Sequence, residues 1–176
     1  MQPGRSTITV TGALLVLVLG WPFGAVPAPT LEYQVKASYL FNFVRFITWP
    51  GDVFAAGGKF NLCILGADRF GGALDALKGE RVEGREITVH RIGQPAQARA
   101  ARCHLAFLAA GTDTGAIALE RGLLTVGESP GFVQRGGIIN LTEDRGRIRF
   151  EINQPAAQQA GLTVSSRLLD LAIKRQ

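Results

Sequence analysis

From Tyr33 to Trp49 the chain alternates apolar and polar positions with the period of an α-helix. At about 100° per residue, Val35, Ala37, Tyr39, Leu40, Phe43, Val44, Phe46 and Ile47 share one side. Gln34, Ser38, Asn42, Arg45 and Thr48 share the other, and Pro50 ends the helix. Two residues break the pattern. Lys36 falls near the middle of the apolar arc, and Phe41 falls among the polar residues. Glu32, four residues before Lys36 in the favourable order, is placed to form an ion pair that carries the lysine into the packing.

Further along, short apolar runs alternate with helical patterns. Lys59–Leu65 reads as a strand ending at Gly66, and Asp68 as the N-cap of a helix over Arg69–Leu77. Residues 78–84 are turn-like, and Glu86–Ile92 is a second strand. A short helix over Gln97–Arg102 leads to a buried strand at Cys103–Leu108. Asp113 caps a helix to Arg121, and Leu123–Val126 is a fourth strand. Near-continuous apolar strands separated by helices predict a parallel sheet covered on both faces.

The last fifty residues differ. Gly136–Thr142 and Gly146–Asn153 flank Glu143-Asp-Arg-Gly146, a hairpin turn signal. Ile148, Phe150 and Ile152 alternate with Arg147, Arg149, Glu151 and Asn153, so one face is buried. Pro155–Ala160 reads as a helix ended by Gly161. Ser165–Lys174 reads as a terminal helix with Leu168, Leu169, Ala172 and Ile173 inward. The expected fold is therefore α/β, a three-layer sandwich. Its sheet is mostly parallel and Rossmann-like, extended by a C-terminal antiparallel hairpin and a terminal helix.

Residues 1–28 have the order of a secretory signal: Arg5, an apolar run from Ile8 to Leu19, and then the small-residue stretch Gly24–Ala28. The run is about a dozen residues, short of the ~20 that span a bilayer. Cleavage after Ala25, Ala28 or Thr30 is compatible with the sequence; the alternative is an uncleaved anchor. What remains, 31–176, suits one domain. Losing the signal removes Arg5, one of 19 basic residues set against 14 acidic ones. The remaining basic residues are scattered, without a basic run interleaved with aromatics, so no nucleic-acid partner is expected.

Several segments together resemble one family. They are Lys36–Pro50, Leu62-Cys-Ile-Leu-Gly66, Cys103-His104, Phe150–Asn153, Ala160-Gly161-Leu162 and Ser165–Ala172. In order and spacing they are similar to the YfiR-like family of small exported proteins. The resemblance implies a periplasmic regulator, possible homodimerisation, and a partner that is a membrane-bound signalling protein (a YfiN-like diguanylate cyclase or other sensor). Repression of such a cyclase lowers cyclic di-GMP and biofilm formation. Phe41, together with Ser38, Asn42 and Arg45 on the polar side of the first helix, is the candidate contact with that partner; the alternative for Phe41 is packing against its own chain.

Cys63 and Cys103 are the only cysteines. In an exported protein a disulfide is the default expectation, and two buried thiols or a redox-sensing pair are the alternatives. His104 beside Cys103 is expected to be a satisfied core or edge histidine. With His90 the only other histidine, and no ligand spacing, no metal or other cofactor is expected. A Cys103–His104 nucleophile pair fails because adjacent strand residues face opposite ways.

Gly66-Ala-Asp-Arg-Phe-Gly-Gly72 lies where phosphate loops lie, but it lacks both the G-x-G-x-x-G and the Gly-Lys-Ser/Thr orders. Open parallel sheets bind ligands beyond the carboxyl ends of their strands. Asp68, Arg69, Arg91, Thr112, Glu128 and Ser129 would line that rim and form the candidate site for a small molecule. No nucleophile elbow, paired-carboxylate signature or ligand cluster argues for an enzyme, so an interaction protein is the expected class.

Overall fold

The computed structural model describes residues 28–56, 58–93, 97, 100–112 and 120–175. Apart from Ala28, the expected signal segment lies outside them. So do the helix expected at 113–121, save its last two residues, and residues 98 and 99 of the one at 97–102, in which a single turn closes where Ala101 N–H donates to Gln97 O at 3.0 Å.

The described residues form a mixed α/β fold on an eight-stranded sheet, ordered β10-β8-β7-β6-β5-β2-β4-β3. The strands are β2 (Phe60–Leu65), β3 (Arg81–Val82), β4 (Arg85–Ile92), β5 (Leu105–Leu108), β6 (Leu124–Gly127), β7 (Ile139–Asp144), β8 (Arg147–Ile152) and β10 (Lys174–Arg175). From β7 through β6, β5 and β2 to β4 the pairing is parallel; β8 pairs antiparallel with β7 and β3 with β4, whereas β10 runs parallel to β8. The β7–β8 hairpin closes through Arg145 and Gly146, both at positive φ (52° and 72°), as a tight turn with right-handed strand twist requires.

Strand alternation divides the interior into two unequal parts. Leu62, Ile64, Leu105, Phe107, Leu124 and Val126 face a large core under helix α1 (Leu31–Phe46). Cys63, Leu65, Ala106, Leu108 and Phe132 form a smaller cluster on the opposite face. There Phe132 lies flat against the chain at Gly127 and Gly137, where a Cβ would come within 2.6 and 2.1 Å of its ring. Only glycine fits at either position.

Helix α1 supplies Leu40, Phe43 and Val44, all fully buried, each contributing about 1.5–3 kcal/mol by apolar burial. It is shorter than the sequence periodicity suggests. After Phe46 the chain extends, and Ile47–Thr48 (β1) pairs antiparallel with Thr163–Val164 (β9). The β-branched pair before Trp-Pro favours the extended form, and Ser165 N–H closes the junction on Phe46 O at 3.0 Å. Trp49 is buried, and its indole N–H donates to Gly122 O at 2.9 Å.

Three further expectations need correction. Residues 69–77 form two 3₁₀ turns, Gly71–Ala73 and Asp75–Leu77, rather than one helix, because the Gly71-Gly72 pair at its start is unfavourable to a continuous helix. Asp68 is not their N-cap, which is Phe70 for the first and Leu74 for the second, but its side chain accepts from Phe70 N–H at 2.8 Å just ahead of the first turn. The turn expected at 78–84 contains strand β3. The terminal helix α3 covers only Ser166–Leu171, following α2 (Gln154–Gln159). Beyond it Ile173 N–H donates to Phe150 O, and β10 extends the sheet beside β8. The open edge of β8 outcompetes helix propagation, and Ile173 stays half exposed instead of facing inward.

The cysteines are bonded: Cys63 on β2 and Cys103 at the entrance to β5 form a disulfide with Cα atoms 5.8 Å apart, spanning 40 residues. Closing a loop of that length is worth about 4 kcal/mol on the chain-entropy account. Replacing both cysteines by serine, or reducing the protein, is therefore expected to lower unfolding stability by a few kcal/mol without loss of fold. Urea titration with and without reductant, followed by circular dichroism, measures it.

Candidate functional site

The strand order places a topological switch between β2 and β5, since β2 leads to β4 on one side and the chain then crosses back to β5 on the other. The expected rim residues lie near the carboxyl ends of the parallel strands, and of the six only Asp68 and Arg91 bond directly to one another; the others bond to residues outside the set. Arg91, at the end of β4, meets Asp68 at 2.5 Å and the carbonyl of Gly71 at 3.0 Å. Thr112 closes over the end of β2, donating to Leu65 O at 3.3 Å. Ser129 opens the turn in which Phe132 N–H donates to its carbonyl at 3.1 Å.

Glu128 is the pivot. It follows β6 directly, its side chain is 5% exposed, and Lys36 Nζ of α1 lies 2.6 Å from Oε2. Tyr33 donates its hydroxyl to both Glu128 oxygens at 3.0 and 3.1 Å, and Ala110 N–H donates to Oε1 at 3.0 Å. Lys36 also pairs with Glu32 one turn earlier, as expected from their spacing, and lies over the Tyr33 ring at 4.5 Å from its centroid. Burial disfavours the lysine's charge, yet the hydrogen bonds to Glu128 and Glu32 outweigh it and hold its pKa above the usual value. Burial first, and the Glu128 charge second, push the Tyr33 phenol up. Arg69 reaches the same cluster, its guanidinium held above its ordinary pKa by hydrogen bonding to Tyr33.

The acid that matters most to Lys36 is 92 residues away, and sequence periodicity found only Glu32. An apolar arc interrupted by a lysine was the signal that a buried partner had to exist; its identity was not readable.

A notch of about 340 Å³ opens beside Lys36 and Glu128 where β6 ends and β7 continues, bordered by Asn140 and Thr142. Asn140 is 1% exposed, and its Oδ1 has no hydrogen-bond partner. On the other flank of α1, Ser38, Phe41 and Asn42 line a groove of about 580 Å³ against Ala73 and Leu77 of the 3₁₀ turns. Phe41 is half-buried and packs on the main core, with Arg45 over its ring at 5.8 Å. Ser38 Oγ donates to Gln34 O, and Asn42 and Arg45 are exposed.

His104 faces away from the disulfide. Its ring stacks on Phe54 at 4.7 Å, and Nδ1 accepts from Asn61 N–H at 2.9 Å. Burial lowers its pKa, so the neutral ring is a satisfied core histidine. Among the described residues no group of three His, Cys, Asp or Glu side chains is arranged to hold a metal ion, and no helix is long and apolar enough to cross a membrane.

The family model described as YfiR/HmsC-like matches residues 33–173. The chain belongs to that family. The match begins at Tyr33 of the buried cluster and covers the final helix and every strand of the sheet but β10. No curated protein matches the chain. Among solved structures it is similar to a conserved domain protein from Vibrio cholerae O1 biovar eltor, at 14% identity and TM-score 0.47. It is also similar to an ABC domain in complex with L-Trp from Streptococcus pneumonia, at 10% identity and TM-score 0.49. Each likeness covers 82% of this chain and 60% of the other, so this YfiR/HmsC-like chain spans three-fifths of their length. Likenesses of this strength carry no argument about function.

The Lys36–Glu128 pair makes a direct prediction. Lys36→Met leaves the buried Glu128 carboxylate without its ion-pair partner and is expected to cost about 3 kcal/mol. Adding Glu128→Gln is expected to recover about 1 kcal/mol or more, giving a non-additive double-mutant cycle. Chemical denaturation of the four proteins decides it; additive losses would show that the pair is not coupled.

Proposed function

We propose that this chain is a periplasmic regulatory protein, exported by an N-terminal signal. It binds and inhibits the periplasmic part of an inner-membrane signalling protein, a diguanylate cyclase, and so lowers cyclic di-GMP and biofilm formation. The observation that carries the reading is the YfiR/HmsC-like match over nearly the whole described domain. The bonded cysteines support export, because structural disulfides form in oxidising compartments. The role is that of a binding partner rather than a catalyst. The polar cluster around Lys36 spends its charges on one another, which suits a scaffold.

The surface we assign to the partner is the outer face of α1 with its groove around Phe41: Ser38, Asn42 and Arg45 are exposed beside an aromatic that is only half covered. Aromatic anchors ringed by polar residues are what interfaces use. Phe41→Asp is expected to abolish repression in cells that carry the cyclase, read as raised cyclic di-GMP. The purified variant should keep its circular dichroism spectrum. Retained repression would remove Phe41 from the interface.

A second reading is favoured by the notch beside Glu128: a small-molecule site at the carboxyl-end rim of the sheet. The buried, unpartnered Asn140 Oδ1 supports it, since a ligand donor would satisfy that atom. A thermal-shift screen with nucleotides and amino acids tests it, because a ligand specific for the folded state raises the melting temperature by mass action. Shifts that persist in Asn140→Leu would place the ligand elsewhere.

A further inference from the structure

His104 and Asn61 join the entrances of β5 and β2 by two reciprocal bonds. The His104 backbone N–H donates to Asn61 O at 2.8 Å, and the Asn61 backbone N–H donates to His104 Nδ1 at 2.9 Å. The imidazole thus stands in for a backbone acceptor where the β2–β5 pairing begins, and only an unprotonated Nδ1 can accept. The Asn61 side chain is held as well. Its Nδ2 donates to Ala101 O and Arg102 O at 2.9 and 3.1 Å, and its Oδ1 meets His90 Nε2 at 3.3 Å.

The same ring holds the turn that follows Pro50. Phe54 stacks on it with centroids 4.7 Å apart, and the backbone of Val53 lies within its hydrogen-bonding reach. Val53 in turn packs on Gly122, where a Cβ would come within 2.5 Å of its side chain. The surrounding charges do not favour an imidazolium. The Arg85 guanidinium lies over Phe54, 4.0 Å from the ring centroid. Asp52, on the turn itself, is paired with Arg121, and Glu86 with Lys59. His90 reaches the site through the Asn61 side chain. Burial is the largest obstacle to charging the imidazole and Arg85 adds to it, while the Val53 backbone favours it.

We infer that His104 is an acid-sensitive latch: the neutral imidazole holds the Gly51–Phe54 turn against the entrances of β2 and β5, and a proton taken from solvent at Nδ1 releases it. Protonation removes the acceptor of the Asn61 N–H and leaves a cation facing that donor. The charged ring is then better placed in water, and the Phe54 stack opens with it. A histidine that is harder to charge in the latched state than in the open one costs nothing at higher pH. It weakens the latch as pH falls below the open-state value of about 6.5. The device belongs to the fold and does not depend on the regulatory reading.

Hydrogen exchange of the wild type, followed by NMR between about pH 7.5 and about pH 5, tests the latch on the Asn61 and Val53 amides. Their protection, corrected for intrinsic exchange, is expected to fall about tenfold per pH unit below about pH 6.5, as linkage to one proton requires. Amides in the middle of β5 and β6 should stay protected. His104→Asn offers a carbonyl acceptor in place of Nδ1 and does not titrate, so the same two amides should lose their pH dependence. That variant keeps His90, which separates the two histidines. Constant wild-type protection across the range would overturn the inference. So would an equal acid loss in His104→Asn, which would place the titrating group elsewhere. Should that variant fail to fold, the nitrogen shifts of the wild-type imidazole decide, and an acid loss that does not track the charging of His104 overturns the latch.

Discussion

A single buried charge sets much of this architecture. Lys36 points into the interior from the middle of the apolar arc of α1, and a buried ammonium is tolerable only when paired and hydrogen-bonded. Glu128 supplies that pairing from the end of β6, helped by Tyr33 and by the backbone N–H of Ala110. The helix is therefore pinned to the carboxyl edge of the sheet at one rotational setting and one axial position. Rotating α1 by one residue would bury a different side chain and separate Lys36 from Glu128. Apolar packing through Leu40, Phe43 and Val44 provides much of the attraction, but it is tolerant of small slips. The ion pair adds register.

That register decides what the outer surface of α1 presents. With Tyr33, Lys36, Ala37, Leu40, Phe43 and Val44 inward, the opposite side exposes Leu31, Val35, Ser38, Asn42 and Arg45. Phe41 and Tyr39 sit at the two margins, each half covered by its own groove. The sheet beneath is stiff for separate reasons. Its central parallel strands are packed on both faces, and the Cys63–Cys103 bond staples the start of β5 to β2 on the smaller face, away from α1. Reducing that bond would act on stability before it acted on the helix surface.

The parts of the fold written in local pattern were the legible ones. Apolar strands bounded by glycine and the Arg145-Gly146 turn follow from short-range chemistry, and they stand close to where the local pattern puts them. The errors occur where a distant edge competes with local preference. Ile47–Thr48 and Ile173–Arg175 both lie next to helical patterns, and both are drawn into strand pairing by partners more than twenty residues away in sequence. The site follows the same rule. The Glu32–Lys36 pair was readable because it spans one helical turn; Glu128 stood among the rim residues, but nothing local joined it to Lys36. Phe41 stands out as an anomaly in the helical pattern, whereas periodicity puts Val35 in the buried arc and the structure leaves it open at the margin.

The proposed regulatory role places its demand on a preformed surface. A regulator that recruits a partner with a flexible surface must order that surface on contact, which costs affinity. Here α1 is fixed before any partner arrives: its underside is packed, its one buried charge is neutralised, and its end is locked by the β1–β9 pair. Binding energy from the outer face is then available for holding the partner in one geometry. The groove around Phe41 flanks this ridge, so the orientation of a partner seated there would be fixed by the rotational setting that Lys36 and Glu128 impose. A substitution that broke the buried pair would in that case weaken binding without touching the contact surface, because the ridge would lose the alignment on which the groove depends.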